Sequence, residues 1–365
     1  MRRDPVPVRR DWRDRVEALG FDFHTLDGPY WVEDACYRFD AREVDLLEAV
    51  GGELHAMCLD LVADVVRDGD HARLGLDPVA AEWVDRSWRA GEPALYGRMD
   101  IAWSGRDAPK LLEYNADTPT ALFEAAVVQW HWLEDTRAGG DQFNLIHEAL
   151  VRRWPEVLAP HANVHFAGCL EAAEDRVTID YLRDTCMQAG FRTQVLDMSG
   201  IGWKDGRFVD LQDEPIDSIF KLYPWEWMRA EPFSAHLAAA ATRWIEPAWK
   251  QVLSNKSLLA LLWERHRGHP NLLPASHDPR DIDGPVVAKP RFGREGEGIQ
   301  VMERGMHFAE HGMVYQAHAP LYRSDAGYGL LGLWIVGDQA VGVGMREDAS
   351  PITGNASRFV PHCFD

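Results

Sequence analysis

Between Ala41 and Val66, apolar residues recur mostly three and four apart: Val44, Leu46, Leu47, Val50, Leu54, Met57, Leu61 and Val65. That spacing predicts an amphipathic helix, with Gly51-Gly52 marking an interruption in it. The first ninety residues as a whole read as mainly helical. The pattern then turns to alternation. Leu95–Trp103, the polar run Ser104–Pro109 and Lys110–Asn115 predict a β-hairpin with a medium-length loop. Thr120 to Asp135 reads as an apolar, aromatic-rich helix. Asn163–Leu170, Val177–Ala189 and Thr193–Met198 spell strand, helix, strand, the helix stopped by Gly190, and Ile216–Leu222 predicts a third strand. Helical character returns from Pro232 to about Arg267, with Pro270 and Pro274 as a boundary. Beyond it lie short strands and glycine-rich turns: Val286–Lys289, Ile299–Met302, Met313–Gln316, Gly329–Val336 and Ala340–Met345. The order predicts an α/β (α+β) chain with a parallel-sheet middle and an antiparallel, loop-rich end. Three regions follow: a mainly helical 1–95, a hairpin-plus-βαβ 96–230, and a final 231–365.

Composition narrows the class. With 46% apolar residues and 15 Trp among 365 residues, the chain has ample material for a core and is unlike a disordered protein. No apolar stretch approaches the roughly 20 residues a bilayer-spanning helix needs, and no signal-peptide-length segment follows Arg2-Arg3, so the sequence reads as cytoplasmic. Five scattered cysteines without a CxxC pair point to buried free thiols, not a disulfide framework or thiolate zinc site. A formal net charge of −20 argues against general nucleic-acid binding. It suits solubility, and is compatible with a cationic substrate. There is no HExxH and no GxSxG. Gln129-Trp130-His131-Trp132 reads as core and His362 as structural, while Trp225 and Trp227 follow a strand and suit a pocket wall.

Candidate chemistry concentrates in the hairpin. Alternation puts Glu113 and Asn115 on one face, as it does Arg98 and Asp100 on the partner strand. A loop centred near Arg106-Asp107 sets Asp100 opposite Glu113 and Arg98 opposite Asn115. Two carboxylates facing across strands repel unless a cation lies between them. Two acids and an amide carbonyl are donors of the kind Mg²⁺ takes, and Arg98 would hold an anion beside it; a solvated hairpin face is the plain alternative. A second candidate is Lys289-Pro290-Arg291-Phe292-Gly293-Arg294-Glu295-Gly296-Glu297-Gly298, between two strands. Its glycines suit close approach of backbone N–H groups to phosphate, yet it is neither a Walker A loop nor a Rossmann fingerprint, and an ordinary surface turn fits as well. Arg346-Glu347-Asp348 ends a strand before Ser350–Asn355. It reads either as a charged turn or as a phosphoryl contact with carboxylates for a second metal.

Taken in order, Arg98-Met99-Asp100, Leu111–Thr120, Val287-Ala288-Lys289-Pro290 with its glycine loop, Arg346-Glu347-Asp348 and Ser357–His362 resemble the glutathionylspermidine synthase-type, ATP-grasp ligases over nearly the whole chain. The resemblance implies that Asp100, Glu113 and Asn115 hold two Mg²⁺ ions. Lys256 and Lys289 would contact ATP phosphates, with Glu295, Gly296, Pro351, Ile352 and Thr353 closing over the nucleotide and Gln316, Ala317, His318 and Ala319 leading to the adenine. Arg346 would stabilise charge during phosphoryl transfer, and Arg98 would lie near the acyl group. Thr118 and Thr120 would hold the thiol-tripeptide substrate, and Glu171, Glu174 and Asp175 the polyamine. The implied partners are a small-molecule acid and an amine, with no nucleic acid or membrane. No amidase activity is expected, and Lys221–Trp227 diverges where the peptide substrate would be gripped. An ATP-dependent phosphotransferase and a nucleotide-binding pseudoenzyme are the rival readings.

Overall fold

The structure, a computed structural model, describes residues 1–25, 28–294, 296–303, 310–354 and 357–365. The hairpin forms as alternation predicts. Strands Tyr96–Ala102 and Lys110–Asn115 pair antiparallel with Asp100 opposite Glu113 and Arg98 opposite Asn115, and the register shifts beyond Asp100. Tyr96–Ala102 also pairs with Gly327–Val336, which pairs with Gln339–Asp348 and through it with Arg358–Val360. This antiparallel sheet therefore unites the hairpin with strands from the chain's last 40 residues, and its inner faces carry Met99, Ile101, Leu331, Leu333, Val343 and Met345 into the core.

Ala41–Asp68 is one unbroken helix across this sheet. Asp40 and Glu43 cap it reciprocally, the Glu43 amide donating to Asp40 at 2.9 Å and the Asp40 amide to Glu43 at 3.0 Å. The expected interruption at Gly51-Gly52 is absent because Gly51 serves packing: a Cβ there would sit 2.7 Å from both Ala340 Cβ and Leu333 Cδ2. The glycine lets helix and sheet approach, and the helix accepts the propensity cost of about 1 kcal/mol.

The middle is a parallel sheet in the order Arg243–Ile245, Ser218–Leu222, Asn163–Gly168, Arg192–Asp197, with helix Ala173–Gln188 as the crossover. Strands Ser218–Leu222 and Asn163–Gly168 are almost wholly buried, as expected of parallel strands covered on both faces. Arg243–Ile245 corrects the helical reading of Pro232–Arg267. Those residues hold short helices, among them Gln251–Ser254 and Ser257–Arg265, and one strand joined to the sheet. A second correction concerns the mainly helical first ninety residues. Arg2–Pro5 and Ala35–Phe39 are strands, and they form a small sheet with His362–Phe364 from the far end of the chain.

The glycine-rich end supplies a four-stranded antiparallel sheet: Ala275–Ser276, Met313–Ala317, Val286–Pro290 and Gln300–Met302. All five cysteines are free and four are buried. His362 is fully buried, accepting from the Phe143 amide at 3.1 Å and bonded to Gln129 at 2.9 Å. Trp132 is core, but Trp130 is 38% exposed, against the expectation that both are core. Trp225 is buried and Trp227 exposed. Among the described residues no helix is long and apolar enough to cross a membrane.

Candidate active site

The two hairpin carboxylates lie where the antiparallel sheet meets the four-stranded one. Asp100 is held by Arg98, from Nε at 2.7 Å and Nη2 at 3.3 Å, and by Arg346 Nη2 at 2.5 Å. Glu113 has Lys256 Nζ at 3.2 Å, and Lys256 also donates to the Gly293 carbonyl at 2.5 Å. Lys289, on Val286–Pro290, donates at 2.8 Å both to the Leu112 carbonyl and to Gln316 Oε1, while Gln316 Nε2 donates to the Leu111 carbonyl at 2.9 Å. Strand pairing positions Arg98, Asp100, Glu113, Lys289, Gln316 and Arg346, and Lys256 stands at the start of helix Ser257–Arg265. Four cations surround two carboxylates, so the buried cluster has surplus positive charge and is suited to an anion.

Asn115 Nδ2 lies 3.0 Å from Glu113 Oε1 and 3.4 Å from Asp100 Oδ2. One atom within reach of both carboxylates means that they converge on a point. Beyond that point lies a cleft of ≈ 710 Å³. Asp100, Glu113 and Lys289 form its polar end, and Val287, Ile299 and Leu330 line its apolar part. Gly296, Gln316, Ala317, His318 and Ala319 line it, as do Pro351, Ile352 and Thr353. Gly296 has φ +75°, and a Cβ there would meet the Thr353 carbonyl at 2.6 Å, so the glycine loop lies directly on the 351–354 turn. Glu295 falls outside the described residues.

A second chamber of ≈ 760 Å³ adjoins it and shares Glu113, Gly296 and Thr353 with the first. Arg98, Arg346, Thr118, Thr120 and Glu174 line it. A smaller cavity beside it takes in Lys256, Thr118 and Glu226. Glu171 is exposed and Asp175 half-buried; neither lines the second chamber. Arg294 links the glycine loop to this side, donating to Thr118 Oγ1 at 2.6 Å and pairing with Glu226 at 2.7 Å.

Residues 3–365 match the family model described as glutathionylspermidine synthase preATP-grasp. The chain belongs to this family. It is 42% identical to a Haemophilus influenzae protein called "Putative acid--amine ligase", over 98% of each chain. It is 27% identical to trypanothione synthetase of Crithidia fasciculata, over 95% of this chain and 57% of that one. It is 25% identical to the bifunctional glutathionylspermidine synthetase/amidase of Escherichia coli, over 80% and 52%. The chain therefore spans about half the length of these last two relatives. Among solved structures, a glutathione synthetase-like effector from Globodera pallida superimposes with a TM-score of 0.54 at 8% identity, covering 89% of this chain and 88% of that one. The fold is accordingly ATP-grasp-like, and the enzyme class is that of the glutathionylspermidine synthase preATP-grasp family, the ATP-dependent carbon–nitrogen ligases.

The charges of the cluster act strongly on one another. Burial alone would raise the Glu113 carboxyl, but Lys256 and Lys289 hold it well below the usual carboxylate range. Burial pushes Lys289 down to about 8, with Glu113 resisting and the like charge of Lys256 assisting. Burial also lowers Arg346, and neighbouring Arg98 adds repulsion, with Arg346 Nε left without a hydrogen-bond partner among the described residues.

Sequence reasoning missed three features of the site. Asp117 accepts from the fully buried Lys221 at 2.5 Å and from the Trp225 amide at 2.9 Å, pinning the Lys221–Trp227 segment so that Glu226 reaches Arg294. Lys250 pairs with Glu246 at 2.8 Å beneath the hairpin, and Glu246 accepts from the Tyr96 amide at 2.9 Å. Tyr30 lines the second chamber and donates to the buried Glu124 at 2.5 Å. Only the Asp117 feature had a sequence signal, its place in the Leu111–Thr120 run.

Proposed function

We propose that the protein joins a small-molecule acid to an amine by way of an acyl phosphate, at the expense of ATP. One observation carries this reading: a buried cluster of four cations and two converging carboxylates separates a long, partly apolar cleft from a polar second chamber. The first cleft suits a nucleotide, with triphosphate at Lys289 and Lys256 and adenine toward Gln316–Ala319. The second suits the acid and the amine, with Thr118 and Thr120 as hydroxyl contacts and Glu174 as an anionic contact for an ammonium group.

Mg²⁺ fits the donor set. Among the described residues no group of three or more His, Cys, Asp or Glu is arranged to hold a metal. Mg²⁺, however, needs only one or two carboxylates when phosphates and waters supply its remaining ligands. Asp100 and Glu113 would hold it, with Asn115 turning its carbonyl inward, and the ion would neutralise phosphate charge. The protein's own groups do the rest. Arg98 orients the acid's carboxylate so that one oxygen attacks the γ-phosphorus as the bond to ADP breaks, and Arg346 and Lys289 stabilise charge on the equatorial oxygens. The amine nitrogen then attacks the acyl carbon and phosphate leaves.

The test is ADP release by the purified protein in Mg²⁺-ATP against acids (glutathione, short peptides, amino acids) crossed with amines (spermidine, other polyamines, amino acids), with mass spectrometry of products. ADP release that requires one acid and one amine, with an amide of the matching mass, establishes the reading and names the substrates. A stable phosphorylated acceptor points to a phosphotransferase. ATP binding with no ADP from any pair points to a nucleotide-binding protein without turnover.

A further inference from the structure

Glu124 is an acid in an otherwise apolar turn, Glu124–Val128, yet it is only 1% exposed. The helix widens there to a π turn: the Gln129 amide bonds to the Glu124 carbonyl instead of the Ala125 carbonyl one residue closer. The freed Ala125 carbonyl is taken by Gln129 Nε2 at 2.7 Å, which also reaches the Val343 carbonyl at 2.9 Å. Such single widened turns recur at functional positions. Its effect here is to deliver Glu124 beneath the second chamber, where Tyr30 Oη donates to it at 2.5 Å. Tyr30 is itself fixed. Its carbonyl accepts from the Phe359 amide at 2.7 Å, and its ring packs against the Phe21–Phe23 pair with centroids 6.1 and 6.0 Å away. The phenol forms the chamber wall together with Glu174, Arg98 and Arg346.

We propose that Tyr30 and Glu124 form the proton outlet for the amine, Tyr30 Oη taking a proton from the substrate ammonium as it passes its own to the Glu124 carboxylate. This rests on the ligase reading above. The balance is complete without a further reactant. The ammonium gives one proton to Tyr30, whose O–H proton moves to Glu124. The nitrogen lone pair forms the C–N bond, and the acyl C–O bond breaks with its electron pair leaving on phosphate. The second nitrogen proton departs with that phosphate, leaving an amide N–H. The charged groups facing Glu124 and Tyr30 are Glu174 on helix Ala173–Gln188, Arg98 on the hairpin and Arg346 on Gln339–Asp348. Burial, then Glu174, raises the Glu124 carboxyl to about 7, with the Tyr30 hydrogen bond and Arg98 opposing. That value suits a proton acceptor at neutral pH.

The test compares wild type, Glu124→Gln and Tyr30→Phe, using the acid and amine that form amide in the substrate panel, and hydroxylamine in place of the amine. Hydroxylamine is uncharged at neutral pH and traps an acyl phosphate without needing a base. Both variants are expected to lose about 10²–10⁴-fold in kcat/KM for the amine while still forming hydroxamate. Wild type is expected to show a limb rising with pH through the Glu124 ionisation, absent in Glu124→Gln. Amide formation within a few-fold of wild type, or an unchanged pH limb, overturns the relay. Loss of hydroxamate together with amide also overturns it, by assigning the pair to folding or to the phosphoryl step. If the wild type forms amide from no acid and amine of the panel, the ligase reading is overturned and the relay falls with it.

Discussion

Arg346→Met separates electrostatic catalysis from structural support with unusual clarity. Arg346 is half-buried, shares Asp100 with Arg98, and has a guanidinium whose charge is disfavoured by burial and by Arg98. Its removal leaves Asp100 paired, because both Arg98 bonds remain, at 2.7 and 3.3 Å. The 3–5 kcal/mol typical of orphaning a buried charge is therefore not incurred, and methionine fills most of the vacated volume. Stability should change by less than about 1 kcal/mol, which for a chain of this size is a Tm change below about 4 °C. Catalysis should suffer far more. One lost contact to developing phosphoryl charge costs about 10²–10³ in kcat, or about 3–4 kcal/mol. The assay is ADP release at saturating substrates beside a thermal melt of the same preparation. Turnover within about tenfold of wild type would refute the assigned role, since that is less than the smallest loss expected for such a contact. A Tm loss well beyond 4 °C would mean that Arg346 is structural and the charge reasoning wrong.

Three further expectations follow from the same structure. Lys289, held down to about 8 in the free protein, must be charged to bind phosphate. ATP affinity should then weaken above pH 8, and calorimetry in buffers of different ionisation enthalpy should detect proton uptake on binding there. Gly296→Ala forces a Cβ against the Thr353 carbonyl at a positive φ, so KM for ATP should rise several-fold at least while Tm moves little; an unchanged KM would free the loop from that role. His362 is pushed by burial from 6.5 down to about 3. Its neutral form is thus native, and its stabilisation is present above pH 6.5 and lost as pH falls toward 3, at up to about 1.4 kcal/mol per pH unit. Denaturant melts of His362→Gln should show a shallower acid limb than wild type.

The hairpin was legible because strand alternation is strict and the loop is short enough to fix the register. Asp100 opposite Glu113 followed from counting residues. The parallel sheet was legible from its buried strands, except Arg243–Ile245, which at three residues is too short to show a period and exists through pairing with Ser218–Leu222. Gly51-Gly52 misled because a glycine chosen for close packing looks the same in sequence as a glycine that ends a helix. Arg2–Pro5 and Ala35–Phe39 depend on a partner at the opposite end of the chain, which no local pattern announces. Glu124 was invisible for a related reason. An acid among alanines and valines on a helix reads as a solvent-facing residue, and only the widened turn and Tyr30 make it an interior one.

The contact between Asp100 and Arg346 joins residues 246 positions apart. During synthesis, then, the hairpin Tyr96–Asn115 emerges long before the strand that completes its sheet. At the roughly 5–20 residues per second of translation, Asp100, already paired with Arg98, waits on the order of ten seconds or more for Arg346. A nascent chain in that interval lacks the completed cluster of four cations around the two carboxylates. Activity arrives only when the last strands close the sheet, which makes this enzyme's first turnover a report that its folding is finished.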